Sequence, residues 1–167
     1  MQKIPAHKEK TAKEIIHFYK KVNKLDVNQA EALSDEIGKS HPFIISIFLG
    51  YKASKEFTSA QLNEILRILV TLWFYNKGSL ANKITAVKYD KIADKNFGFL
   101  KYWAGENEKD KKKTLADYFK HQANDVLLVF IMACVREKNE FKNLSIEEQA
   151  KLILELKSVN DCLEDNS

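Results

Sequence analysis

The sequence predicts an all-α protein, a single compact bundle of seven to eight helices. Three observations carry this. Five Gly and two Pro among 167 residues amount to about a third of the usual combined share of roughly 12%, too few turn-formers to punctuate a sandwich or barrel of many short strands. Apolar residues recur at steps of three and four along most of the chain, and no strand-like alternation runs beyond a few residues. Ser/Thr-x-x-Glu/Gln patterns, which cap helices reciprocally, stand before two of the apolar runs. With 45% hydrophobic and 30% charged residues, the composition fits neither a disordered tail nor a membrane protein. Residues 1–167 read as one domain, frayed at 1–7 and 164–167. Such a chain buries about 68–70% of its unfolded surface, enough for a core without staples.

The elements follow in order. Ala12, Ile15, Ile16, Tyr19 and Val22 form one stripe of a helix over residues 8–23. A second helix runs from about Val27 to Ile37, with Val27, Ala30, Leu33 and Ile37 inward, Asp26 as N-cap and Gly38 as C-cap signal. A third starts near Ser40–Pro42, since Pro suits a first turn. It carries Phe43, Ile44, Ile45, Ile47, Phe48, Leu49 and Tyr51, apolar on nearly every side, so a central position is expected. The box Thr58-Ser-Ala-Gln61 opens a fourth helix that reaches about Asn76. Asn63, Glu64, Arg67 and Thr71 fall on one narrow polar strip, with Glu64 and Arg67 paired at i, i+3.

A weaker helix covers about 80–94, followed by a separate aromatic turn or short helix, Phe97–Gly105, and a charged loop, Glu106–Lys113. The next helical stretch spans about 112–138, with a break near Asn124–Asp125, where either residue can cap the run Val126–Val135. Ser145-Ile-Glu-Glu148 opens the last helix, with Leu152, Ile153, Leu156, Val159 and Leu163 on its inner face. His41–Tyr51 and Asn124–Cys134 both lead through a link with one Phe into a capped helix. That echo would fit a duplicated helical hairpin.

The longest apolar run has ten residues, against about 20 for a membrane span, and the first 14 residues hold no apolar signal-like region. A soluble, cytoplasmic protein is expected. Cys134 and Cys162 fit a reducing compartment, with Cys134 in the core and Cys162 nearer the surface. Formal net charge is +4, and the basic residues are almost all Lys, with Arg only at 67 and 136. Such a lysine-rich surface attracts anions diffusely, without the bidentate fork that Arg provides. Residues 1–24 carry seven Lys against two Glu, and residues 139–167 three Lys against seven acids. The first and last helices could therefore lie against each other.

Chemistry-bearing patterns are sparse. Glu14-x-x-His17 has the i, i+3 spacing of di-iron bundles, and Asp117 and His121 share a helix face at i, i+4. A di-iron site, however, needs two Glu-x-x-His motifs and two further Glu. No nucleophile elbow, Gly-rich phosphate loop or His-Glu-x-x-His occurs. Lys101, Lys109, Lys111, Lys112 and Lys113 beside Tyr102 and Trp103 interleave basic and aromatic residues, as single-strand binders do, but Glu106, Glu108 and Asp110 interrupt the tract. Phe99, Tyr102 and Trp103 supply the kind of aromatics that anchor protein interfaces.

The leading expectation is therefore a non-enzymatic interaction or regulatory protein, with no cofactor and with a protein partner at Phe99, Tyr102 and Trp103. A nucleic-acid-associated protein using the lysine segment is the second reading. A metal-dependent helical-bundle enzyme using Glu14, His17, Asp117 and His121 is the third.

Overall fold

The computed structural model describes residues 6–76, 84–103, 110, 113–114, 117–118 and 125–164, with the side chains of 6–7 and 99–103 excepted. Its helices are α1 (Ala6–Val22), α2 (Val27–Ser40), α3 (Pro42–Ser54), α4 (Ser59–Asn76), α5 (Ala86–Trp103), α6 (Val126–Glu137) and α7 (Ile146–Glu164), with a 3₁₀ turn at Asn139–Phe141. No strand occurs among the described residues. The all-α bundle expected from the sequence is the observed fold.

The caps form as the local sequence dictates. Asp26 accepts from the Gln29 amide while the Gln29 side chain returns to the Asp26 amide. Thr58 and Gln61 exchange the same pair of bonds, at 2.8 and 3.3 Å, as do Ser145 and Glu148, at 2.7 and 3.2 Å. Asp125 starts α6 by accepting from Leu128 N–H at 3.0 Å. Each cap satisfies amide donors that a first helical turn leaves without intrahelical partners.

Two helices form the centre. α4 touches α1, α3, α6, α7 and the 3₁₀ turn, and α7 touches α4, α5 and α6. Ile65, Ile68, Leu69, Leu72 and Trp73 of α4 are buried, as are nearly all residues of α7 from Leu152 to Leu163. Burying each large side chain contributes about 1.5–3 kcal/mol relative to exposure, so these two rods hold most of the apolar driving force. The two hairpins, α3 with α4 and α6 with α7, occur in the order read from the sequence. Their links differ in depth, Phe57 being half-buried and Phe141 wholly buried. The second link is also pinned, because Gln61 Nε2 donates to the Glu140 carbonyl at 3.0 Å and Gln149 Nε2 to the Phe141 carbonyl at 3.1 Å.

Several expectations are corrected. α3 is peripheral: only Ile44 is fully buried, and Leu49 is exposed. Its all-round apolar sequence exceeds the contact that α2 and α4 offer it. Val27 and Ala30 are exposed, leaving Leu33 and Ile37 as the inward residues of α2. Gly38 and Gly50 do not end helices but lie within α2 and α3. The weak helix and the aromatic turn are one element, α5, because Gly98 is accommodated inside it. Glu64 and Thr71 leave the polar strip of α4 and are fully buried. Cys162 is buried too, and neither cysteine is in a disulfide. The basic α1 packs on α4 and α6, while acids of α7 find partners nearer by, Tyr51 for Glu155 and Lys157 for Asp161.

Candidate functional site

The residues singled out by the sequence separate into three groups. Glu14 and His17 lie on α1, Glu14 within 3.9 Å of Lys10 and His17 edge-on to Phe18. Asp117 is exposed, and His121 lies outside the described residues. No group of three His, Cys, Asp or Glu able to hold a metal occurs among the described residues. Lys113 is exposed, Lys101 belongs to α5, and Lys109, Lys111 and Lys112 lie outside the described residues. Phe99, Tyr102 and Trp103 are positions of α5, the helix that packs along α7. Positions 99 and 103 stand seven residues beyond half-buried Ile92 and buried Asn96, in register with the packed stripe of that helix.

The densest polar cluster is one the sequence did not point to as a whole. The carboxylate of Glu64, 0% exposed, is held from three elements. The Tyr19 hydroxyl of α1 donates to Oε1. Lys138, just past α6, places Nζ 3.5 Å from the same oxygen. Arg67, one turn along α4, donates to Oε2 at 3.2 Å. Lys138 also stands 5.0 Å over the Tyr19 ring, which meets Phe130 of α6 edge-on. Burial raises the Tyr19 phenol, and its bond to Glu64 adds to this. The Tyr19 hydroxyl, and behind it the Glu64 charge, raises the Lys138 ammonium against partial burial. Burial pushes the neighbouring Cys134 thiol up to about 12. A thiol so held is a poor nucleophile, and a carboxylate with donors on both oxygens has little capacity left to act as base or ligand. The cluster clasps α1, α4 and the end of α6 together.

A second network joins α5 to α7. Asn96 Nδ2 donates to Ser158 Oγ at 2.9 Å and to Asp161 Oδ2 at 3.0 Å, and Lys157 Nζ meets the same Asp161 oxygen at 2.5 Å. A third contact ties α3 to α7, where Tyr51 donates to Glu155 at 2.6 Å. Burial raises both groups, Tyr51 strongly. In each case ionisable side chains are spent on helix–helix contacts.

Among the described residues a groove of about 280 Å³ opens between the end of α1, the face of α2 and α4, and a shallower hollow of about 430 Å³ lies along α1 at Glu14, His17 and Phe18. Val22, Leu25, Leu33, Leu66 and Val70 give the groove apolar walls, and Asn23, Ser34 and Asn63 line it with polar groups. Arg67 belongs both to this groove and to the Glu64 clasp. Its side chain is 44% exposed. One of its five N–H donors is engaged by Glu64, and the described structure gives it no other partner. The i, i+3 pairing of Glu64 with Arg67 was legible in the sequence. The groove was not, since it depends on how far α2 stands from α4.

No protein-family model, no curated protein and no solved structure matches this chain. No described helix is long and apolar enough to cross a membrane.

Proposed function

We propose that this protein acts by binding another protein rather than by catalysing a reaction, and that its docking surface is the groove between α1, α2 and α4. The observation that supports this is the combination found in that groove: apolar walls from three elements beside a half-exposed guanidinium with unspent donors. Concave apolar surface with a few fixed polar groups is the usual form of a recognition site. The buried carboxylates and the raised Cys134 thiol, by contrast, serve internal contacts. On this reading Phe99, Tyr102 and Trp103 are not the docking surface, because positions 99 and 103 continue the stripe of α5 that packs.

The test places a photo-crosslinking side chain at Asn63, on the groove, or at Lys52, on α3. The reading expects a defined partner to be captured from Asn63 and not from Lys52. It also expects capture by the Asn63 variant to be reproduced with the purified partner, and to disappear when Ala30→Trp fills the groove in a protein that stays folded. Capture that ignores Ala30→Trp, or that occurs from Lys52 alone, overturns it.

A further inference from the structure

Resting on that docking reading, the geometry points to the chemistry of the occupant: the C-terminal residue of a protein partner, with a branched apolar side chain and a free α-carboxylate. Size is the first argument. A groove of about 280 Å³ has room for the single terminal residue of a peptide rather than for a folded segment.

Charge is the second. The one charged residue lining the groove is Arg67, and the nearest buried carboxylate, Glu64, is already shared with Tyr19 and Lys138. An incoming carboxylate would meet the guanidinium donors that Glu64 leaves open, with no acid among the residues lining the groove.

Shape is the third. Leu25, Leu33, Leu66 and Val70 are branched, and they offer contact to a branched side chain while Asn23, Ser34 and Asn63 can bond the peptide unit behind it. Capture of a terminal carboxylate is a known mode of peptide recognition. The groove lies one helical turn from the clasp, so an occupant that pulls on Arg67 also acts on the bond that ties Arg67 to Glu64.

The experiment titrates the full-length protein with acetyl-Ala-Ala-Leu as the free acid and as its C-terminal amide, followed by amide chemical shifts. The expected result is shifts confined to Asn23, Ala30, Ser34, Asn63 and their neighbours, with the acid binding about two- to five-fold more tightly than the amide, the range for one partly exposed ion pair. Arg67→Gln should erase that preference. Because Arg67→Gln also removes a partner of Glu64, Ser34→Glu is the second variant: it leaves Arg67 on Glu64 and sets a carboxylate in the groove, and it should weaken the acid by a similar factor. Equal affinities for acid and amide, both blocked by Ala30→Trp, would overturn the carboxylate inference while leaving the docking reading intact. Octanoate binding more tightly than the peptide acid would overturn the peptide terminus as the occupant. Shifts that avoid the groove with every ligand, together with no crosslink from Asn63, would remove both.

Discussion

Replacing Glu64 with Gln tests whether the three-donor clasp holds the fold together. Glutamine keeps the shape but loses the charge, and its Nε2 must face one of the three donors. The Tyr19 bond is the best shielded, and a hydrogen bond to a charged group contributes about 1.5 kcal/mol or more. The Arg67 and Lys138 side chains are 44% and 38% exposed, so water replaces much of what they lose, and each pair is discounted to about 0.5 kcal/mol. The sum is a destabilisation of about 2.5 kcal/mol. For a domain of this size that lowers Tm by roughly 5–10 °C. Urea unfolding followed by circular dichroism measures it, with the slope m unchanged if only the native state is affected. Tyr19→Phe and the double variant complete a cycle, in which a coupling of about 1–2 kcal/mol is expected for groups in direct contact. A Glu64→Gln protein within about 0.5 kcal/mol of the parent, or a cycle with no coupling, would show that the desolvation of the carboxylate cancels its bonds and that the clasp is a by-product of packing.

The remaining predictions concern backbone, pH and the second network. Nothing lies within 4 Å of a Cβ built at Gly38 or Gly50, both inside helices, so Gly38→Ala and Gly50→Ala should each stabilise by about 0.5–1 kcal/mol; thermal melts that fall instead would refute the helical assignment there. Lys55 ends α3 with φ 59° and ψ 17°, a conformation that costs a side chain roughly 1–2 kcal/mol, and Lys55→Gly should raise Tm. Cys134 is held from its ordinary value near 9 up to about 12. A group raised on folding contributes its full stability below its unfolded pKa and loses it as pH climbs to the folded one. Tm should therefore fall between about pH 9 and 12, and Cys134→Ala should flatten part of that slope. Asn96→Leu removes the amide that ties Ser158 and Asp161 to α5, while Lys157 keeps Asp161 and Ser158 keeps the Leu154 carbonyl, and a loss of about 1–2 kcal/mol is expected on chemical unfolding.

How much of this was visible in the chain divides along physical lines. Caps are local, and Asp26, Thr58 with Gln61, Asp125 and Ser145 with Glu148 were all legible from neighbours three residues away. Glycine was misleading: Gly38, Gly50 and Gly98 mark no helix end, because each pays only a propensity penalty that surrounding contacts override. The order of burial was also out of reach. α3 is apolar on nearly every side yet peripheral, while α7, with a more mixed sequence, lies deeper, because burial depends on how many helices surround a rod. Glu64 shows the same limit. Helical period sets Glu64 at the edge of the strip that holds Asn63 and Arg67, about 100° round α4 from Asn63. Its burial depends on Tyr19, 45 residues earlier in the chain, and on Lys138, neither of which any local pattern ties to it.

The buried polar contacts share a placement that says what they do. Glu64 joins α1 to α4 and to the end of α6, Asn96 and Lys157 join α5 to α7, and Tyr51 with Glu155 joins α3 to α7. Apolar packing alone sets volume but tolerates sliding of one smooth helix along another, since volume-conserving exchanges cost little. A hydrogen-bonded pair across the same interface admits one axial position, because a displacement by one turn leaves each group buried without its partner at about 1–3 kcal/mol apiece. The face of α2 toward α1 and α4 is lined by Ala30, Leu33 and Ser34, while the end of α2 is tied to α4, where Trp73 Nε1 donates to Nδ1 of the cap residue His41 at 3.1 Å. The groove lies along the gap beside the earlier turns of α2, away from that bond. Adding a fixed contact across the gap, as with Ala30→Trp, should therefore slow hydrogen exchange in α2 and leave exchange in α7 unchanged; a variant that protects α7 as much as α2 would mean that the groove is already as rigid as the core.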